Sequence, residues 1–395
     1  MIKAKGFDEI SYFTQYMAPI IEKNHSLWGW PTGEYKDLEL SFIPQGLTNK
    51  SYLVKHKNKI NKKKGIFIKR FNQGDLKDLI DRAKDSEVSE YFGKIGLSPQ
   101  IFYQNEETRV ELYLEGYQSY TKAELMDIAE RRRIAYNLSR MHNSQPLGSQ
   151  IGSEEEILVV KLLKGEIPLI KSFEAKLTKK SESFNFKEVE QLKTVQKFKD
   201  EVPWLLEKIK EVRRDSRIAF SHNDFYFGNI MRNSDGNVRL LDFEYSDWNL
   251  RTYDIAKLIT ELSFEFKSEG EDNIPSNRVF PERRRPFEEI FDFLVFYLYF
   301  ENFEEIEEKD VENIIHMNPK IIRSQLDQKL GAEEVTKELE ALTEEYKVSY
   351  LLVHLIFSMI GILMAKSEEK DCFDFVDWCY HRYIDYLDFK KKYFK

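Results

Sequence analysis

Three polar residues in one short segment have types and spacing that suit phosphoryl transfer. Asp224 follows His222 and Asn223, and Asn229 comes five residues after Asp224. A second acid, Asp242, follows a further short apolar run. A carboxylate can orient a hydroxyl acceptor and take its proton, and carboxylate and amide oxygens are hard ligands for Mg²⁺. We therefore predict Asp224 as the base and Asn229 and Asp242 as metal ligands, although each alone could be a turn or cap residue.

A hairpin is predicted within this segment. The sequence NSDG at 233–236 is a tight-turn signal between two extended runs, 229–232 and 238–241. We expect the hairpin to bring Asn229 and Asp242 near each other and near the base. Protein kinases use a similar set of Asp, Asn and a second Asp.

The elements around this segment predict an α+β, two-lobed architecture. Apolar residues alternate with charged or small ones at 38–42, which is the period of a strand, and 51–55 and 65–71 are further extended runs, so we expect a small antiparallel sheet. Helical spacing dominates later in the chain. We predict a small β-rich lobe over 1–116 and a large helical lobe over 117–395. The predicted helices span 75–94, 123–142, 187–212, 253–266, 285–303 and much of 333–393.

Composition limits the classes of protein to consider. The chain has 395 residues, which favours two domains, and its 42% hydrophobic and 32% charged residues are typical of a globular protein. The net charge of −8 argues against general nucleic-acid binding, which needs a basic surface. The two cysteines, Cys372 and Cys379, form no disulfide framework or zinc motif, so we expect a reducing, cytoplasmic compartment.

One apolar run requires a choice between a membrane span and a buried helix. Residues 348–365 are close to spanning length, but the run contains His354 and lies in acidic, polar sequence. The N-terminal residues have no apolar signal region. We predict a buried helix and no stable membrane insertion.

The segment 219–262 resembles the choline/ethanolamine kinase family, a branch of the aminoglycoside-phosphotransferase-like kinases. The matching strings are HND with GNI, and LLDFEYSDWNLRTYDIA. DFEY with the following Arg251 and Asp254 points to the choline/ethanolamine branch. Weaker resemblance extends from about residue 41 to about residue 388. The resemblance implies a protein-kinase-like fold and an ATP- and Mg²⁺-dependent enzyme.

The resemblance also assigns residues to the nucleotide and the metal. It places Lys69 on the phosphates, with a solvated strand end as the alternative, and Glu244 near the metal. It implies an acidic helix partner for Lys69, either Asp85 or Glu87. His222 is interpreted as a brace of the loop backbone, with proton transfer as the alternative. The loop expected over the nucleotide contributes Gly46, Thr48, Asn49 and Lys50.

The acceptor pocket follows from the same resemblance. Aromatic faces and a carboxylate hold an ammonium group well. Two departures are visible, because Ile360 stands where the family has a ring and Lys257 where it usually has Asn. Phe357 and Trp378 have core packing as an alternative role. The positions that correspond to the family's pocket are Tyr245, Glu261, Phe266, Phe357, Ile360 and Trp378.

The predicted function is phosphorylation of the hydroxyl of choline or ethanolamine, the first step of phospholipid head-group synthesis. Its partners are then ATP and a small amino alcohol, and monomer and homodimer both remain open. A related kinase for another amine or alcohol is the first alternative. The second is a pseudokinase-like binding protein, against which the intact Lys69, Asp224, Asn229 and Asp242 argue.

Overall fold

The computed structural model describes residues 13–43, 49–57, 65–71, 81–146, 157–164, 186–266, 277–279, 283–364 and 375–394. The chain divides into two compact units. Unit 1 consists of residues 1–119 and 231–244, and unit 2 of residues 120–230 and 245–395.

Unit 1 contains the predicted antiparallel sheet. Its strands are β1 (Leu38–Ile43), β2 (Asn49–His56), β3 (Ile66–Phe71), β4 (Ile101–Gln104) and β5 (Thr108–Leu112), in the order β1-β2-β3-β5-β4. Leu38 and Leu40 of β1 are buried with Trp28 and Trp30 in one core, which explains the apolar alternation of the sequence at 38–42.

Two further elements of unit 1 carry candidate site residues. Helix α2 (Arg82–Lys94) begins at Asp81, whose carboxylate accepts from the backbone N–H of Ala83 and Lys84. The predicted hairpin is confirmed, because β8 (Ile230–Arg232) and β9 (Val238–Leu240) are neighbours in a sheet with β6 (Gln118–Ser119). Its turn uses Gly236 at a φ of 83°, in the left-handed region that favours glycine.

Unit 2 is largely helical. Helix α7 (Thr252–Leu262) packs on α11 (Ala332–Met364), α3 (Ile128–His142) packs on α8 (Phe287–Asn302), and α11 packs on α12 (Phe375–Tyr393). The strands β7 (Ile218–Ser221) and β10 (Asp247–Leu250) pair antiparallel. The other described α-helices of unit 2 are α4 (Leu158–Lys164), α5 (Phe186–Val195), α6 (Phe198–Arg213), α9 (Glu308–Ile315) and α10 (Pro319–Leu330), and α1 (Ala18–Asn24) belongs to unit 1.

Two predicted helices differ from the observed ones. The segment 187–212 is divided into α5 and α6 by a turn at 196–197. The helix predicted over 253–266 ends at Leu262, because Phe264–Phe266 form strand β11, which pairs with β12 (Asn277–Val279). Phe264 is fully buried, so tertiary packing outweighs the helical period there.

The apolar run 348–365 lies mostly in α11, as predicted, and Leu351, Leu352 and Val353 are fully buried in the protein. Among the described helices, none combines the length and apolar character needed to cross a membrane. Close packing against α12 depends on Gly361, because a Cβ at this position would lie 2.7 Å from a ring atom of Trp378.

Candidate active site

The loop that presents Asp224 follows strand β7 and is clamped by one buried carboxylate. Asp254, on α7, accepts from the backbone N–H of His222 at 2.7 Å and of Asn223 at 2.8 Å. Asn223 has a φ of 66°, a left-handed conformation that Asn tolerates better than most residues. Its side chain donates to the carbonyl of Tyr245 at 2.9 Å and accepts from Asn249 at 2.8 Å. These bonds fix the backbone from which the Asp224 side chain projects.

Asp224 and Asn229 are brought together as the sequence predicts. Asn229 ends a short 3₁₀ turn, and its Nδ2 donates to the Asp224 carbonyl at 3.0 Å and to Oδ2 at 3.3 Å. The side chain of Asp224 is 25% exposed, which leaves it accessible to an acceptor. Since Nδ2 of Asn229 is bonded to Asp224, Oδ1 is the atom that could bind a metal. His222 is fully buried beside Phe225, with ring centroids 5.8 Å apart, which favours the bracing role.

A buried chain of hydrogen bonds, which no pattern in the sequence predicted, supports Asp254. His142 bonds to Asp254 at 3.1 Å and to the hydroxyl of Tyr297 at 2.9 Å. Tyr297 donates to Glu301 at 3.0 Å, and Glu301 also accepts from Arg251 at 3.0 Å. Burial raises the pKa of Glu301, but the charges of Arg251 and Arg217 outweigh it and hold that pKa below its usual value. The string YDI draws attention to Asp254 in the sequence, but it gives no information about the residues that bond to Asp254.

In unit 1, Lys69 lies among carboxylates at the end of β3. Its Nζ is 2.6 Å from Oδ1 of Asp242, which has a left-handed φ of 66°. Burial lowers the pKa of Lys69, but the charges of Asp242 and Glu244 outweigh it and raise that pKa. The lysine therefore stays charged, which the predicted phosphate-binding role requires.

The observed partner of Lys69 differs from the expected one, Asp85. The Asp85 carboxylate is bonded to Arg109, with 2.5 Å between Oδ2 and Nη2. Arg109 stands opposite Lys69 in the β3–β5 register, so both cations face the same side of the sheet. The planar guanidinium takes the buried carboxylate, and Lys69 bonds to Asp242. Glu87, the other candidate, is exposed on α2.

Glu244, which the resemblance predicts near a metal, belongs to the same cluster of charged residues as Lys69 and Asp242. It accepts from Arg82 at 3.0 Å. Burial, together with the charge of Asp242, raises the pKa of Glu244 to about 7. The carboxylates of Asp242 and Glu244 repel each other, and a divalent cation bound to both would neutralise their charge. Mg²⁺ usually binds only one or two carboxylates of a protein, so this pair is sufficient. No group of three metal-binding side chains occurs among the described residues.

The loop predicted over the nucleotide falls only partly within the described residues. Gly46 and Thr48 lie outside the described residues, and Asn49 and Lys50 begin strand β2, paired with Phe71 and Arg70. The side chain of Lys50 is exposed.

The predicted acceptor residues are brought together in part. Glu261 is buried on α7 and bonds to Lys257 and Arg382. Phe357 and Trp378 pack with Phe264, and the ring centroids of Phe357 and Trp378 are 6.2 Å apart. Ile360 is half-buried on α11, and Tyr245 contributes its carbonyl to Asn223. The side chain of Phe266 lies outside the described ones.

The chain is similar in sequence and in fold to known proteins. A sequence model described as choline/ethanolamine kinase matches residues 40–387. The chain is 24% identical to probable choline kinase 3 of Arabidopsis thaliana over 302 residues, which cover 75% of this chain and 79% of the relative. The solved structure of choline kinase from Cryptosporidium parvum aligns with a TM-score of 0.69 and 19% identity, covering 96% of both chains. An ethanolamine kinase of Plasmodium vivax aligns with a TM-score of 0.60 and 18% identity, covering 96% of this chain and 89% of its own.

Proposed function

Because the chain belongs to the choline/ethanolamine kinase family, we propose that it transfers the γ-phosphate of ATP to the hydroxyl of a small alcohol such as choline or ethanolamine. The observation that carries the proposal is the rigid loop that presents Asp224, held by Asp254 and Asn229. A base fixed in this way suits a reaction in which catalysis consists mostly of positioning and charge neutralisation.

In this mechanism the Asp224 carboxylate accepts the proton of the acceptor hydroxyl. The acceptor oxygen forms a bond to the γ-phosphorus as the bond between that phosphorus and the β,γ-bridging oxygen breaks, and ADP leaves. Lys69 offsets charge on the phosphates. Asp242, Glu244 and the amide oxygen of Asn229 would hold Mg²⁺, which when bound neutralises phosphate charge. We further propose a cytoplasmic role in supplying phosphorylated head groups, supported by the family and the low cysteine content.

The test compares ATP consumption by the wild type and by Asp224→Asn with choline, ethanolamine and other alcohols. Loss of a general base is expected to lower kcat by about 10²- to 10⁴-fold. Asp215→Asn, at an exposed acid before β7, is the matched control and should match the wild type. Absence of turnover with every alcohol would refute the proposed kinase activity. Near-normal turnover by Asp224→Asn would refute the role of Asp224 as the base.

A further inference from the structure

The cluster of side chains around Glu261 has the chemistry of an ammonium site. A buried carboxylate lies with the rings of Phe264, Phe357 and Trp378, all in unit 2 together with Asp224. Aromatic faces and a carboxylate attract a cation strongly when water is excluded. An amino alcohol with its hydroxyl at Asp224 would place its ammonium in such surroundings.

The ammonium group of Lys257 already lies between the Glu261 carboxylate and an aromatic ring. It lies one turn before Glu261 on α7, and its Nζ is 2.7 Å from the Glu261 carboxylate. The same nitrogen is 3.8 Å from the centroid of the Phe357 ring and 3.4 Å from Oδ1 of Asp224. Its side chain is only 4% exposed. The lysine ammonium therefore makes the carboxylate and ring contacts that a bound substrate ammonium would make.

Arg382, on α12, adds a second internal cation. It bonds to the same Glu261 oxygen, and its guanidinium carbon lies 4.2 Å from the ring centroid of Phe264, 4.5 Å from that of Trp378 and 5.0 Å from that of Phe357. The arginine is fully buried. All three rings of this cluster thus have a protein cation against them.

The charges of this cluster balance before any substrate arrives. Glu261 and Asp224 carry two negative charges, and Lys257 and Arg382 carry two positive ones. Burial raises the pKa of Glu261, but the charges of Arg382 and Lys257 and their hydrogen bonds outweigh it, so the carboxylate stays ionised. A third cation would enter a site with no uncompensated carboxylate, where like charges in a poorly solvated environment repel strongly.

We propose that Lys257 is the specificity-determining residue of the acceptor site, and that its ammonium disfavours a quaternary-ammonium acceptor relative to an uncharged alcohol of the same shape. The proposal rests on the function proposed above, since it concerns the acceptor of the same reaction. Removal of the lysine charge leaves Glu261 with Arg382 alone and frees the face of Phe357, so a substrate cation gains both contacts.

The experiment measures kcat/KM for choline and for its carbon isostere, 3,3-dimethylbutan-1-ol, and takes their ratio. In the wild type this ratio should be no greater than about 1, and Lys257→Met should raise it by about tenfold or more, as expected for a gained cation contact. Lys257→Arg keeps the charge and should leave the ratio near the wild-type value. A residue that only supports the fold would change both substrates together and leave the ratio unmoved.

A wild-type preference for choline of tenfold or more, unchanged in Lys257→Met, would overturn the proposal. If Lys257→Met does not fold, the wild-type ratio alone decides, because it needs no variant. If no alcohol is phosphorylated, the proposed function fails separately. Calorimetric binding of choline and of its isostere to the wild type and Lys257→Met then tests the same ratio, with an unchanged ratio again contradicting the role of Lys257.

Discussion

Each unit contains a buried lysine bonded to a carboxylate, but the two clusters differ in charge balance. Around Lys69, three cations (Lys69, Arg82 and Arg109) face four carboxylates (Asp85, Glu111, Asp242 and Glu244). Around Lys257, two cations face two carboxylates. The pKa of Glu244 is raised to about 7 by burial and by Asp242, whereas the pKa of Glu261 is lowered by Arg382 and Lys257 against the effect of burial.

Because of this difference, the cluster around Lys69 can bind an added cation, whereas the carboxylates around Lys257 are already neutralised by protein cations. The carboxylate excess of unit 1 suits Mg²⁺ with a nucleotide. The balanced cluster of unit 2 gives an incoming cation no net attraction. Similar residue types therefore lead to opposite expectations for ligand charge, and the contacts of each carboxylate decide which applies.

Removal of an acid from the unit 1 cluster should have the largest effect. We expect Asp242→Asn to lower kcat by about 10²- to 10³-fold, because one charged metal and phosphate contact is lost. The measurement is ATP turnover over a Mg²⁺ titration, which should show a raised Mg²⁺ requirement. Asp235→Asn, at an exposed acid in the turn of the same hairpin, serves as the control. An unaltered Mg²⁺ profile in Asp242→Asn would count against the metal assignment.

The balanced cluster predicts a large effect on stability. Glu261→Gln leaves Lys257 and Arg382 buried with only Asp224 nearby, and loss of one partner of a buried ion pair costs about 3–5 kcal/mol. Urea unfolding of Glu261→Gln and of the control Glu340→Gln, at an exposed position on α11, measures this. A difference under about 1 kcal/mol would mean that the lysine and arginine are not held by Glu261.

The smallest effect is expected at Glu244. A carboxylate whose folded pKa is raised disfavours folding above its unfolded pKa of about 4.5, because burial opposes the ionised form there. In Glu244→Gln, relief of this penalty offsets the lost bond to Arg82, so the free energy of unfolding in EDTA should change by less than about 1 kcal/mol at pH 7. A loss as large as that of Glu261→Gln would remove the contrast between the two clusters.

Local signals in the sequence predicted much of the fold. Alternation predicted strand β1, extended runs predicted β2 and β3, and the NSDG turn predicted the β8–β9 hairpin. The end of α7 at Leu262 was missed, because the pairing of β11 with Val279 depends on chain far from the helix. The two-lobed kinase fold agrees with the solved relatives.

Site contacts between distant residues could not be predicted. Arg109 takes Asp85 because of the register between β3 and β5, which no local pattern fixes. Lys257 and Glu261 are four apart on one helix and could have been paired from sequence, but Arg382 lies 121 residues beyond Glu261. The bond of Arg382 to the Glu261 carboxylate supplies the second positive charge, which makes the cluster electrically neutral.

Phosphoryl transfer through Asp224 is tested most directly by phosphorus NMR of the reaction products. With ATP, Mg²⁺ and a mixture of choline, ethanolamine and uncharged alcohols, the wild type should yield a phosphomonoester resonance and an equal amount of ADP. Asp224→Asn should yield neither over the same period. Release of inorganic phosphate alone, or equal phosphomonoester from both proteins, would contradict the account.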